Sequence, residues 1–149
     1  MRIAAFQPDI PQNLGALMRI SVCFGMPLDV IEPCGFPFST KAVKKAAMDY
    51  AADADMTAHP NWEQFLSQRP GGRLILLTTK AAVPCWDIEF HPDDTLLLGR
   101  ESAGAPEEVH AAADARILIP MPGGGRSLNI AVSAGIVAAE ATRQMSMNR

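Results

Sequence analysis

Short apolar runs alternate along this chain with longer stretches in which apolar residues recur at helical spacing. The later runs show no polar alternation, which is typical of parallel strands covered on both faces of a sheet. The runs predict strands at Arg2–Phe6, Leu28–Ile31, Leu74–Thr78, Thr95–Gly99 and Arg116–Ile119. The stretches between them predict helices at Leu14–Phe24, Lys41–Ala52, Asn61–Gln68, Pro106–Ala113 and Ile130–Met145. Because strand and helix alternate, we expect a parallel α/β sheet.

Length and hydrophobic content set the expected size of the fold. A chain of 149 residues that is 48% hydrophobic predicts one globular domain over residues 1–149, able to bury about two-thirds of the surface its unfolded chain exposes. No apolar run reaches the roughly 18 residues of a membrane span. The chain also opens with a strand-like segment rather than a signal sequence. We therefore expect a cytoplasmic protein without a membrane partner.

The cysteines and histidines show no ligand spacing. Cys23, Cys34 and Cys85 form no CxxC pair and sit among apolar residues, so they are expected to be reduced thiols in the core. His59 and the other two histidines, His91 and His110, lie beside loop or helix-end residues, which favours surface or capping roles. Neither a disulfide nor a metal site is expected.

The overall charge argues against binding nucleic acid by bulk electrostatics. The net charge is −3 and the sequence pI is near 5.5, so any nucleic-acid site must be a local basic patch. Lys41, Lys44 and Lys45 share one face of a predicted helix, and the further candidates are the arginines Arg19, Arg100 and Arg126. The alternative for the lysines is a solvated helix face.

A glycine-rich loop joins the last predicted strand to the last helix. Gly123–Gly125 allow the backbone to approach a ligand closely, and Arg126-Ser127-Leu128-Asn129 lead into a helix of small residues. The alternative is a plain connection in which Ser127 or Asn129 caps the helix. Unusual loops also follow Leu77 and Leu98. Since ligands bind beyond the carboxyl ends of parallel strands, the three loops are expected to converge on one pocket.

The motifs of common phosphate-binding loops are missing here. Gly99 and Gly104 have the spacing of a P-loop, but Ala105 stands where the phosphate-binding lysine is needed. No GxGxxG follows a strand. An adenosine ligand without phosphates suits these loops better.

Three ordered segments carry a specific resemblance. PQNLGALMR near the start, LLLGRESAGAP in the middle and IPMPGGGRSLNIA near the end resemble the motifs of the SPOUT, or trefoil-knot, RNA methyltransferases, and the match spans the chain. The short length without an RNA-binding extension adds to this, as do DIPQN at 9–13, VIEPCGF at 30–36, KAVKKAAMDY at 41–50 and LTTK at 77–80. These features resemble the subfamily of tRNA (cytidine/uridine-wobble-2'-O)-methyltransferases.

The resemblance implies a fold, a partner and a cofactor. The fold would be a three-layer parallel α/β sandwich with a deep C-terminal trefoil knot, an exception to the rule that chains do not knot, and the protein would be a homodimer. Small residues in the last helix suit close approach to a second copy, but equally to the chain's own sheet. S-adenosylmethionine would be held mainly by backbone groups, with S-adenosylhomocysteine as product. The residues implied are Leu77, Thr78, Gly99, Ile119, Met121 and Leu128, with Ser127 nearby.

The same matching implies the residues of a methyl-transfer site: Asn13, Arg19, Glu101, Ser127 and Asn129. We expect Asn13 to cap the first helix. Because a guanidinium stays protonated, Arg19 is expected to clamp an RNA phosphate rather than accept a proton, and Arg126 is a second phosphate candidate. Glu101 would either accept the proton or pair with an arginine. No metal is implied.

The implied activity is 2'-O-methylation of the anticodon wobble nucleotide of tRNA. The alternatives are 2'-O-methylation elsewhere in tRNA or rRNA, and an RNA-binding or assembly module without catalysis. Four positions depart from the wobble enzymes: Arg100, Ala103 and Ala105 in the second motif, and Ala139 in the last helix. These changes bear on substrate choice more than on cofactor binding.

Overall fold

The computed structural model describes residues 1–147, so the last two residues of the domain predicted over 1–149 lie outside the described part. Strands and helices alternate through most of the chain, as the sequence predicts. The strands are β1 (Arg2–Phe6), β2 (Leu28–Ile31), β3 (Met56–His59), β4 (Leu74–Leu77), β5 (Val83–Pro84), β6 (Thr95–Leu98) and β7 (Ala115–Leu118). The helices are α1 (Pro11–Phe24), α2 (Thr40–Ala47), α3 (Trp62–Gln68), α4 (Glu107–Ala112) and α5 (Ile130–Met147), with a 3-10 turn at Met48–Ala51.

All strand pairs in the described sheet are parallel, in the order β3-β2-β1-β6-β4-β7-β5. The carboxyl ends of β4, β6 and β7 therefore lie side by side. Strands β4 and β6 are almost wholly buried, as expected for the middle of a doubly covered sheet. Strand β7 is only partly covered, and Arg116 points to solvent, in contrast to the predicted burial on both faces.

The sheet separates two apolar layers, which gives the predicted three-layer sandwich. On one face, Leu14, Leu17 and Met18 of α1 pack with residues of α2 and α5. On the other face, Trp62 and Phe65 of α3 pack with Val109 of α4 and the opposite side of the sheet. Alternate strand residues face opposite layers, so Ile3 and Ala5 belong to the first cluster while Ala4 and Phe6 belong to the second.

Two helix boundaries differ from the sequence prediction by three residues or more. Helix α1 begins at Pro11, three residues before the predicted start, because proline is preorganised for the first helical position. Asn13 therefore lies inside the first turn and does not cap the helix. The helix predicted over Lys41–Ala52 is α-helical only to Ala47, since Met48 takes a positive φ of 53° and a 3-10 turn follows.

The structure corrects several predictions about cysteines and histidines. Cys85 is buried as predicted, but Cys34 is half-buried and Cys23 is exposed. His59 is buried, and the buried carboxylate of Asp29 supplies a partner for its Nε2 at 2.8 Å. His110 is also buried, in the last turn of α4, and His91 is on the surface as predicted. Within residues 1–147 we find no helix with the length and apolar character needed to cross a membrane.

Candidate active site

A cavity of about 520 Å³ opens at the carboxyl ends of β4, β6 and β7. The three loops that follow these strands meet there, which confirms the predicted convergence. All seven residues that the resemblance assigns to the cofactor line this cavity, together with four of the five residues assigned to methyl transfer. The cofactor set is Leu77, Thr78, Gly99, Ile119, Met121, Ser127 and Leu128, and the transfer set is Asn13, Glu101, Ser127 and Asn129.

The walls of the cavity suit an adenosine-type ligand. Leu77, Leu118 and Ile119 provide apolar side chains, and the loops between them expose polar backbone groups. A Cβ on Gly99 would lie 2.7 Å from the amide nitrogen of Ala105, so glycine is required for the loop after β6 to fold back on itself. The residues present therefore fit S-adenosylmethionine, whose nucleoside requires a flat apolar slot with backbone hydrogen bonds.

The three glycines of the glycine-rich loop are not equally required by its backbone conformation. Gly124 has a φ of 79°, and its N–H donates to the Met121 carbonyl at 3.0 Å, closing a turn. Gly123 and Gly125 have neither a positive φ nor a close neighbour in the structure. Only Gly124 is thus demanded by the backbone of this loop.

Glu101 is the centre of a hydrogen-bond chain that links all three motifs. Its Oε1 accepts from Asn13 Nδ2 at 3.3 Å, and its Oε2 accepts from the backbone N–H of Asp9 at 2.8 Å. Asn13 Oδ1 in turn accepts from Asn129 Nδ2 at 2.9 Å. Burial raises the pKa of Glu101 above its ordinary value, which makes this carboxylate a better proton acceptor than an exposed glutamate.

Asn129 has two roles in this chain. Its Oδ1 accepts from the backbone N–H of Ala131 at 2.9 Å and of Val132 at 3.2 Å, so it caps α5 as the simpler sequence interpretation predicts. Its Nδ2 is left to hold Asn13. The capping and ligand-loop interpretations of this segment are therefore compatible, because one side chain serves the helix end and faces the cavity.

Apart from Arg100, the predicted basic residues lie outside the cavity. Arg19 is exposed on α1, with its guanidinium 4.7 Å from the centre of the Tyr50 ring. Lys41, Lys44 and Lys45 are exposed on α2, which packs against α1, and Arg126 is exposed in the glycine-rich loop. In the described part of the chain Glu101 binds Asn13 and Asp9 rather than an arginine, in contrast to one of its two predicted roles.

Sequence reasoning did not select Asp9, Ser102 or His110 for the site, and it placed Arg100 only among basic candidates. Arg100 lines the cavity, lies 5.4 Å from the centre of the Phe6 ring and donates to Gln7 Oε1. Asp9 accepts from both the backbone N–H and the hydroxyl of Ser102. For Asp9, Arg100 and Ser102 the sequence signal was their position in DIPQN and GRES, whereas His110 lies in neither segment.

A cluster of potential metal ligands occurs elsewhere. Oxygen and nitrogen atoms of His91, Asp93 and Asp94 lie within 4.8 Å of one another. Asp94 is already paired with Arg73 at 2.7 Å, and it also accepts from the His91 backbone N–H. The cluster lies in the turn before β6, at the amino end of that strand, so it is separate from the cavity.

Comparison with known proteins agrees with this architecture. A family model, the SpoU rRNA Methylase family, matches residues 1–139. A protein of Beijerinckia indica subsp. indica named tRNA (cytidine(34)-2'-O)-methyltransferase is 48% identical over 145 residues, covering 96% of this chain and 91% of the relative.

Solved structures show the same likeness. One on the 2-OH methylation of C/U34 on tRNA has a TM-score of 0.92 at 39% identity, covering 98% of this chain and 96% of that chain. An AdoMet-bound rRNA methyltransferase from Sinorhizobium meliloti has a TM-score of 0.85 at 28% identity, covering 97% of this chain and 56% of that chain. The predicted SPOUT fold class, including its C-terminal trefoil knot, and the predicted methyltransferase class are confirmed. The chain therefore belongs to the SpoU rRNA methylase family.

Proposed function

We propose that this protein is an S-adenosylmethionine-dependent tRNA methyltransferase that methylates the 2'-oxygen of the wobble nucleotide, position 34. The observation that carries the proposal is the Glu101–Asn13–Asn129 hydrogen-bond chain at the rim of an adenosine-compatible cavity. The Beijerinckia indica relative is similar to almost the whole of this chain and is named for position 34. This favours the wobble position as the target.

S-adenosylmethionine would be held by the backbone of the three loops and would supply the methyl group. The chain's own task is then to orient the acceptor ribose and to take up the hydroxyl proton. Glu101 is the group best suited to accept that proton, because its pKa is raised by burial and Asn13 fixes its carboxylate. Ser127 lies at the same rim and is free to hydrogen-bond the ribose or the cofactor carboxylate.

Binding of tRNA would rely on local basic residues. Lys41, Lys44 and Lys45 present three exposed charges on α2, and Arg126 adds one beside the cavity. Each neutralised phosphate strengthens binding in a salt-dependent way, so a short patch suffices for a protein whose net charge is negative.

We further propose that the protein acts as a homodimer. Arg19 stands six residues beyond Asn13, about 9 Å further along the helix, and does not line its own chain's cavity. Large apolar side chains beside the Asn13–Asn129 bond are also exposed: Ile10 and Leu128 by 42% each and Val132 by 53%. A second copy packed on this face would cover them and bring its own Arg19 near the cavity.

A second candidate is 2'-O-methylation at another RNA site. The similarity to an rRNA methyltransferase from Sinorhizobium meliloti favours it, although this chain covers only 56% of that protein. Under either proposal, the choice of substrate is what we expect to be affected by the departures from the wobble enzymes at Arg100, Ala103, Ala105 and Ala139. The cytoplasmic location expected from the sequence stays a prediction.

The decisive experiment follows methyl transfer from labelled S-adenosylmethionine to unmodified and cellular tRNA, with nuclease mapping of the modified nucleotide. We expect label at position 34 and none when that nucleotide is 2'-deoxy, since the acceptor oxygen is then missing. The variant Glu101→Gln should lose most of its activity, while Glu63→Gln, which replaces an exposed glutamate on α3, should retain full activity. Label elsewhere in tRNA or rRNA would favour the second candidate, and cofactor binding without transfer would favour a module without catalysis.

A further inference from the structure

The segment after β1 is joined to the segment after β6 by contacts at three successive positions. Arg100 donates to the side chain of Gln7. The backbone N–H of Asp9 donates to Glu101 Oε2 at 2.8 Å. Oδ2 of Asp9 accepts from the Ser102 hydroxyl and from the Ser102 backbone N–H, the latter at 3.3 Å. Asp9 thus holds Glu101 directly and holds the next residue with its side chain.

Asp9 is itself fixed from the opposite side. The N–H of Gly35 donates to the Pro8 carbonyl at 2.9 Å, so the segment that contains VIEPCGF packs directly on the peptide that precedes Asp9. A Cβ on Gly35 would lie 2.7 Å from the Asp9 Cβ and 2.9 Å from its Cα. Asp9 therefore has little freedom to move away from the loop that carries Glu101.

The surroundings of Asp9 and Glu101 shift the pKa values of their carboxyl groups in opposite directions. Burial opposes ionisation of Asp9, but the hydrogen bonds from Ser102, the interaction with the Glu101 carboxyl and the charge of Arg100 together hold the pKa of Asp9 below its ordinary value. Burial raises the pKa of Glu101. Two neighbouring carboxyls with pKa values driven apart take different roles, one staying ionised while the other exchanges a proton.

We propose that Asp9 is a positioning residue for methyl transfer, which holds the Glu101 carboxylate in its working orientation through its own backbone N–H and through Ser102. The inference rests on the proposed function, because it assigns Glu101 to the reacting ribose. Asp9 contacts neither the ribose nor the cofactor in this assignment. Its loss should therefore slow transfer without weakening the binding of either ligand.

A double-mutant cycle between Asp9 and Glu101 tests this assignment. Asp9→Ala is expected to lower kcat about tenfold or more, with KM for tRNA and Kd for S-adenosylmethionine within about threefold of wild type. Asp9→Asn keeps an oxygen acceptor for Ser102 and should restore most of kcat. If Asp9 acts through Glu101, the double variant Asp9→Ala/Glu101→Gln should be no slower than Glu101→Gln alone. The matched control is Asp55→Ala, an exposed aspartate before β3, which should leave all constants unchanged.

The inference would be overturned if the rate losses of the two substitutions multiply in the double variant. It would also be overturned if Asp9→Ala binds the cofactor more weakly and has a lower Tm than wild type. Amide hydrogen exchange provides a readout that does not depend on activity. In Asp9→Ala the Ser102 amide should exchange at least about threefold faster, and in Asp55→Ala it should not change. If wild type methylates no tRNA, the proposed function fails, and unchanged exchange at Ser102 would separately refute the role of Asp9.

Discussion

Glu101 is a carboxylate that is partly withdrawn from water yet faces a cavity, and this predicts a pH dependence of the reaction. Only the ionised form accepts a proton, and burial raises the pKa above the ordinary value of 4.5. Activity should therefore fall as the pH drops through that raised pKa, at a higher pH than for an exposed glutamate. We expect kcat/KM, measured between pH 5 and 9, to show this acid limb.

The variant Glu101→Gln tests the assignment of that limb. Loss of a general base is expected to lower kcat by about 10²–10⁴, and the residual activity should no longer follow the acid limb. Glu63→Gln is the control, since it removes an exposed glutamate that does not line the cavity. An unchanged acid limb in Glu101→Gln would show that another group titrates.

The cysteines provide a second test at the residue scale. Burial, followed by the charges of Glu32 and Glu101, raises the pKa of the Cys34 thiol to about 12, and burial also raises the pKa of Cys85. Cys23 is exposed. Since only the thiolate reacts, iodoacetamide at pH 8 should modify Cys23 first, as followed by mass spectrometry.

The charge of Glu101 also affects how fast Cys34 is alkylated. Replacing Glu101 by Gln removes one negative charge near Cys34, so its pKa should fall and its alkylation should become faster. Alkylation of Cys34 as fast as that of Cys23 in the wild-type protein would contradict the burial that the structure gives to Cys34.

At the scale of elements, the contact between α1 and α2 depends on Gly15. A Cβ there would overlap the Ala46 carbonyl group and lie 2.9 Å from the Ala46 Cβ. We therefore expect Gly15→Ala to reduce the free energy of unfolding by about 1–3 kcal/mol, because α2 must move outward. Urea unfolding measures this. The matched control is Gly71→Ala, where a Cβ has no neighbour within 4 Å and no positive φ is needed, and a similar loss there would refute the packing argument.

The capping of α5 can be separated from the site by one substitution. Asn129→Asp keeps the oxygen that accepts from Ala131 and Val132, so the helix cap should survive, and a carboxylate suits a helix N-terminus. The donor to Asn13 Oδ1 is lost, so we expect stability close to wild type but a lower kcat. Asn129→Ala should lose both, with about 0.5–2 kcal/mol of stability. Full activity of Asn129→Asp would show that its bond to Asn13 is dispensable.

The elements that sequence patterns missed have physical reasons for being missed. Strand β3 reads Met-Thr-Ala-His at the sheet edge and is largely exposed, so it lacks the apolar run of a central strand. Strand β5 has only two residues, one of them a proline, which edge strands tolerate. The five strands were predicted correctly because a strand that is buried on at least one face needs apolar residues, which form a recognisable run in the sequence. The early start of α1 was missed because Pro11 was not used as a start signal.

At the scale of the whole molecule, the sequence predicted which loops converge but not how their side chains connect. Parallel strands put the carboxyl ends at one edge of the sheet, and the order β6-β4-β7 brings these three ends together. The bond between Asn13 and Asn129 joins residues 116 positions apart, and no periodicity encodes such a pair. The role of Asp9 depends in part on its backbone N–H, which carries no residue signature, and in part on the bond of its side chain to Ser102, a residue 93 positions away. The roles proposed for these residues stay predictions.

The exposed position of Arg19 allows the proposed dimer to be tested by complementation. If each cavity uses the partner copy's Arg19, then Arg19→Ala and Glu101→Gln should each have only low residual activity alone. A mixed dimer would nevertheless contain one complete site. Random exchange makes half of the dimers mixed, so equal mixing of the unfolded and refolded variants should restore about a quarter of wild-type activity.

The control mixes Arg19→Ala with the double variant Arg19→Ala/Glu101→Gln, which contains no Arg19 and should stay inactive. Light scattering should report a mass near twice the 16.0 kDa of the chain for every sample. A dimer whose mixed form recovers no activity would place the action of Arg19 within its own chain. In that case α1 and the 3-10 turn that carries Tyr50 would have to move toward the cavity on tRNA binding, because Arg19 is held over the Tyr50 ring and away from the cavity lining.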